Sequence, residues 1–184
     1  MKELILHVAK ESHDDPSFGA VKLNKILFYA DFMSYLRRGK SITDQEYFAL
    51  KEGPGPRRFV PIRKDMEKDG EIAIQQVTLG LSLKPQQRVI PLRDPDYSRL
   101  EAEDIVVADD VVRLLRGKNG RQVSDMSHEF AGWIAAFAKG EGTSIPYSTV
   151  RFDPAGFMGF DTPSLPAEIV KYAKELDAEL DRAA

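Results

Sequence analysis

The sequence predicts an α+β fold, predominantly helical, built as a single domain with a small antiparallel β-sheet or hairpin. Helical spacing of apolar residues recurs along most of the chain, whereas strand-like runs are confined to Glu71–Val77 and Gln87–Leu92. A length of 184 residues suits one hydrophobic core, which usually organises about 100–200 residues.

Residues 2–12 read as a first helix with Leu4, Ile5, Val8 and Ala9 on one side, broken by Asp14, Asp15 and Pro16. The second is expected from about Phe18 to Arg38, with Gly39 as its stop. It is apolar nearly all round, Leu23, Ile26, Leu27, Ala30 and Met33 sharing it with Phe28, Phe32, Tyr35 and Leu36. Only Asn24, Asp31 and Arg38 make a narrow polar stripe. Such a helix belongs at the centre, covered on most sides. Thr43 then caps a short turn or helix, and Glu46–Leu50 leads into Gly53-Pro54-Gly55-Pro56. That segment reads as a rigid turn, because proline neither continues a helix nor donates within a central strand.

Phe59–Lys68 follows as a helix ended by Asp69-Gly70, and the two strand-like runs are joined by a hairpin loop over Gly80–Pro85. Ser98 opens a helix to Arg116, stopped by Gly117, with Ile105, Ala108, Val112 and Leu115 on one side. Ser124 is the expected N-cap of the next helix, Asp125 lies in its positive first turn, and Met126, Phe130, Trp133, Ile134 and Phe137 form its core face. Ile145-Pro146-Tyr147 is extended, and a linker rich in Gly, Pro and Asp precedes a final helix, roughly Pro166–Arg182.

Composition excludes several functions. The net charge of -3 argues against a nucleic-acid partner, which calls for a basic excess, and the absence of Cys removes disulfides, thiolate metal sites and Cys nucleophiles. The amphipathic start is no signal peptide, and no apolar run reaches the about 18 residues of a membrane span, so the expected address is the cytoplasm. Charge is uneven. Basic residues dominate from Lys22 to Lys64 and acidic ones from Asp94 to Asp110, which either pair within the fold or leave a basic face that steers an acidic partner.

Few residues invite chemistry. His128 is the best catalytic candidate, but neither a nucleophile elbow nor an HExxH spacing accompanies it, and Ser127 and Asp125 on the same helix give no triad. A His that hydrogen-bonds across the fold, or one that faces a partner, fits as well. His7 and His13 do not share a helix face, so no metal site is expected there. The GPGP segment matches no phosphate loop; its interest lies in Arg57 and Arg58, held at the exit of a stiff turn and therefore low in entropy cost on binding. Lys22 and Lys25 occupy first turns of a helix, where the macrodipole disfavours cations by roughly 0.3–1 kcal/mol. Beside Tyr29, Phe32 and Leu36, their stems either snorkel over apolar rings or form a lysine-and-aromatic patch for an acidic, apolar partner segment.

Three phrases in order then carry a resemblance: Lys22–Phe32 (KLNKILFYADF), Glu46–Arg57 (EYFALKEGPGPR) and Ser124–Trp133 (SDMSHEFAGW). Together with Gly39, Ile42 and Thr43, the Gly53-Pro54 turn, Val123 and Ile145-Pro146-Tyr147, they resemble the SocA-like or Panacea-domain antitoxins, which include phage-associated GepA-like proteins. The resemblance covers residues 1–152 as the Panacea-like domain and leaves 153–184 as a C-terminal linker and helix packed on or extending it. It implies a non-enzymatic antitoxin of a toxin–antitoxin system that binds a cognate protein toxin directly. One branch of the family acts as a proteolytic adaptor, delivering the toxin to an ATP-dependent protease. Lys22, Lys25, Tyr29, Arg57, Arg58 and His128 are then the expected partner-binding residues, and Phe28, Gly53, Pro54 and Trp133 structural ones; no catalytic residue, cofactor or metal is expected. The turn departs from the family, GPGPRR standing where many members have GPV. The alternatives are a hydrolase centred on His128 and a transcriptional regulator of its own operon, although no helix-turn-helix segment is recognisable.

Overall fold

Helix α2 (Ala20–Arg38) occupies the middle of the molecule because it has no face suited to water. Leu23, Ile26, Leu27, Phe28, Ala30 and Phe32 are fully enclosed, and so are Asp31 and Ser34. The computed structural model describes residues 1–78, 85–152 and 157. Around α2 pack α1 (Lys2–Glu11), α4 (Ala102–Leu115), α5 (Gly120–His128) and a 3-10 turn at Tyr147–Arg151. Gly39 ends α2 in the left-handed region at φ 75°, its N–H donating to the Tyr35 carbonyl at 2.8 Å, as a glycine C-cap should.

The α+β, predominantly helical class holds, with two small antiparallel sheets. One has the order β2-β1-β5, from β1 (Tyr47–Leu50), β2 (Gly53–Pro56) and β5 (Ser144–Ile145). The other is the hairpin of β3 (Ile72–Val77) and β4 (Gln86–Pro91), paired from Ile72↔Pro91 to Val77↔Gln86. Most of the expected loop between them lies outside the described residues. Helix α3 (Phe59–Lys68) links the sheets and ends at Asp69-Gly70 as its sequence predicts.

The GPGP segment is a correction. It is an edge strand with every residue buried, not a turn. The register pairs Pro56 with Tyr47 and Pro54 with Ala49, and the Arg57 N–H donates to the Glu46 carbonyl at 2.9 Å. Hydrogen-bonded and non-bonded pairs alternate in an antiparallel ladder, so both prolines fall at non-bonded positions, where a missing N–H costs β1 nothing. Alternating Gly and Pro at an edge is therefore compatible with a strand.

Two helix boundaries also move. The helix expected from Ser98 is a 3-10 turn (Tyr97–Arg99) followed by α4, whose start is fixed by a capping box between Glu101 and Asp104. The helix expected from Ser124 begins at Gly120, because Asn119 and Gln122 form a capping box of their own at 3.0 and 2.8 Å. It breaks at Glu129-Phe130, and α6 (Ala131–Phe137) restarts on a new axis. The break turns Ile134 outward to 51% exposure, against its expected place in the core, while Phe130 stays buried.

The uneven charge is largely satisfied within the fold. Arg37 pairs with Asp110 at 2.9 Å, Arg38 with Asp104 and with Glu101 at 3.2 Å, and Lys40 with Glu101 at 2.6 Å. The C-terminal end of α2 thus faces the acidic α4. Beyond residue 152 only Phe157 is described. It is buried among Phe28, Tyr29 and Phe130, with ring centroids 5.9, 5.4 and 5.2 Å away. The expected final helix lies outside the described residues.

Candidate partner-binding face

The lysine-and-aromatic patch is not on the surface. Lys22, Lys25 and Tyr29 are 1%, 1% and 2% exposed, so a partner cannot reach them in this fold. The Lys22 ammonium donates to Asp15 Oδ2 at 2.5 Å and to the Lys118 carbonyl at 2.7 Å. The Lys25 ammonium donates to the Pro54 carbonyl at 2.9 Å, and burial pulls its pKa down to about 7. Burial likewise pushes the Tyr29 hydroxyl above the usual phenol value. The sequence suggested snorkelling to water, but the acceptors come from Asp15, Pro54 and Lys118, whose approach only the folded chain reveals.

Lys25 explains Gly53. At φ +94° the residue favours glycine, and a Cβ there would lie 2.3 Å from Ser127 Oγ and 2.6 Å from Lys25 Nζ. Gly53 thus lets β2 lie directly on α2 and α5. Ser124 Oγ donates to the Glu52 carbonyl at 2.7 Å and braces the hairpin, while Ser127 Oγ donates to the Ser124 carbonyl of its own helix at 2.7 Å.

Sequence reasoning missed the second buried anchor. Asp31 accepts the N–H groups of Ile42 and Thr43 at 2.9 and 2.8 Å, the Thr43 hydroxyl at 2.5 Å and the Tyr47 hydroxyl at 2.7 Å. Burial raises its pKa, and these donors oppose the rise. The carboxylate ties α2 to the incoming strand β1. A lone Asp inside an apolar helix, with Thr and Tyr soon after, was the available signal.

What remains exposed is the outer side of the hairpin. Along β1, Tyr47 and Ala49 point to the core while Phe48 and Leu50 share the other face, Leu50 being 41% exposed. Arg57 lies over the Phe48 ring at 5.6 Å and pairs with Glu46 at 3.0 Å. With both partners about two-thirds exposed (65% and 64%), that pair contributes little to stability and can be exchanged. The neighbouring Arg58 is exposed and has no ion pair among the described residues. Trp133 joins this face through its indole N–H, which donates to the Leu50 carbonyl at 3.0 Å. Its ring stacks on Phe137 at 4.8 Å and lies tilted against His128 at 4.4 Å.

Trp133 is half-buried, short of the core position its spacing suggested. Trp133→Ala should cost about 2 kcal/mol, less than the about 3–5 of a fully enclosed aromatic. Urea unfolding measures this, and a loss above about 4 kcal/mol would place the indole in the core after all. His128 also departs from expectation: its buried Nε2 has no hydrogen-bond partner among the described residues, and the imidazole packs tilted against the Trp133 ring instead.

Among the described residues no group of His, Asp or Glu converges as a metal site, and no helix is long and apolar enough to cross a membrane. Neither the curated proteins nor the solved structures contain a match. The family model described as antitoxin SocA-like, Panacea domain, matches residues 23–134, a stretch that holds Lys25, Asp31, the β1–β2 hairpin, Arg57, Arg58, His128 and Trp133. More than half of the chain is covered, and the chain therefore belongs to the SocA-like antitoxin family of the Panacea domain.

Proposed function

We propose that this chain is the antitoxin of a toxin–antitoxin system and neutralises a protein toxin by direct binding, without enzymatic chemistry. The observation that carries the reading is the exposure of Arg57, Arg58 and Leu50 beside the half-buried Phe48 ring at one hairpin inside the family-matched stretch. Cationic heads beside apolar side chains fit an acidic toxin segment that also buries an apolar residue, and arginine with aromatic anchors is the composition that dominates such interfaces. The buried ties of Lys25 and Asp31 hold the hairpin in place beforehand, which lowers the entropy lost on binding. Handing the bound toxin to an ATP-dependent protease in the cytoplasm is the second half of the proposal. It rests on the family alone.

The hydrolase reading centred on His128 gains no support from the geometry. The ring packs against Trp133 and, among the described residues, has neither a nucleophile to activate nor a group to orient it.

Reversing both arginines, Arg57→Glu with Arg58→Glu, should leave the unfolding midpoint within the range of exposed charges, about 0–1 kcal/mol, yet weaken toxin binding. The loss should lie mainly in the association rate and shrink as salt is added, because steering charges act at encounter. Association rates at low and high ionic strength test this. A double variant that associates as fast as the parent at both would remove the hairpin from the interface.

A further inference from the structure

His7 sits on α1, 2% exposed, and meets two side chains from remote parts of the chain. Its Nε2 lies 2.9 Å from Asp109 Oδ1 on α4, and its Nδ1 lies 3.3 Å from the Tyr97 hydroxyl in the 3-10 turn before α4. The two contacts fix the tautomer of the neutral ring. A carboxylate only accepts, so Nε2 carries the hydrogen and Nδ1 keeps its lone pair; the Tyr97 O–H therefore donates to Nδ1. The result is a hydroxyl on a base that a third group orients, which is the arrangement of an activated nucleophile. Tyr97 is 40% exposed as a residue, so its ring borders solvent.

We propose that Tyr97 is a base-activated nucleophile, a modification site that takes an acyl group from an activated acyl ester. As the phenol oxygen attacks the ester carbonyl, a C–O bond forms and the phenol proton passes to His7 Nδ1. Collapse of the tetrahedral adduct breaks the bond to the leaving group, which departs as an alkoxide or phenolate and takes up the proton from Nδ1. The products are an acyl ester on Tyr97 and the free alcohol, with His7 returned to its neutral form. Asp109 is a positioning residue that holds the productive tautomer. This site lies on α1, the 3-10 turn and α4, apart from the hairpin proposed to bind toxin, and it does not depend on that reading.

The test treats the full chain with p-nitrophenyl acetate and follows acetylation residue by residue by mass spectrometry. Tyr97 should be acetylated ahead of the other five of the chain's six tyrosines. His7→Gln should slow labelling at Tyr97 on the order of 10²-fold, Asp109→Asn by about tenfold or more, and Asp109→Glu should restore most of the rate. Tyr97 labelling no faster than at the other tyrosines overturns the proposal. So does an unchanged rate in Asp109→Asn, the variant that decides the matter if His7→Gln fails to fold.

Discussion

Replacing Asp31 with Ala should lower the unfolding free energy by about 3–5 kcal/mol, the range for removing one side of a buried charged hydrogen-bond set. The Ile42 and Thr43 N–H groups and the Thr43 and Tyr47 hydroxyls all converge on this carboxylate, and Ala would strand them in a region from which water is excluded. Asp31→Asn should lose only about 1–2 kcal/mol, because an amide oxygen still accepts the backbone N–H groups while the hydroxyls can rotate to accept from the amide. Denaturant unfolding of the two variants measures the gap. A loss below about 1 kcal/mol for Asp31→Ala would mean that the strand β1 is anchored by packing alone.

Lys25→Met should have the opposite sign at mildly acid pH. Among the described residues the buried ammonium has one acceptor, the Pro54 carbonyl, and burial depresses its pKa to about 7 from 10.5. A lysine that titrates lower in the folded than in the unfolded chain makes stability rise with pH between those two values, because the unfolded chain then holds the proton that the folded one has released. Below about pH 7 the protein carries the full cost of a buried charge. Methionine has a similar volume and no charge, so Lys25→Met should stabilise the fold by about 1–4 kcal/mol at pH 6. The advantage should shrink toward zero by about pH 10, where the lost bond to Pro54 tells against the variant. Unfolding curves of both proteins across that range check the slope. Parallel curves would show that Lys25 keeps its ordinary affinity for protons.

Much of this architecture could be read from the chain, and the exceptions have physical causes. The all-round apolar pattern of Ala20–Arg38 marked α2 as central, and Gly39 and Asp69-Gly70 marked helix ends, because local backbone preference decides both. The GPGP strand escaped because proline's missing N–H is harmless only in a register that sequence does not display. The break before α6 escaped for a similar reason: periodicity through Met126, Phe130, Trp133 and Phe137 continues across it, while Asn119 and Phe130 as caps depend on local geometry. At the candidate site Arg57 and Arg58 are exposed as expected. Lys22 and Lys25 were misjudged because oxygen acceptors brought in by the fold, from the nearby Asp15 and the distant Pro54 and Lys118, made burial tolerable. The Tyr97–His7–Asp109 array joins α1 to residues about a hundred positions away, beyond any local pattern.

The most direct test of the antitoxin reading starts from the open reading frame beside this gene. Its product is expressed alone and together with this chain, and binding of the two purified proteins is measured by calorimetry. Growth should stop when the neighbouring protein is made alone and resume when this chain is co-expressed. The purified pair should bind, more weakly with Arg57→Glu and Arg58→Glu. A toxic neighbour that the folded chain neither rescues nor binds would contradict the account.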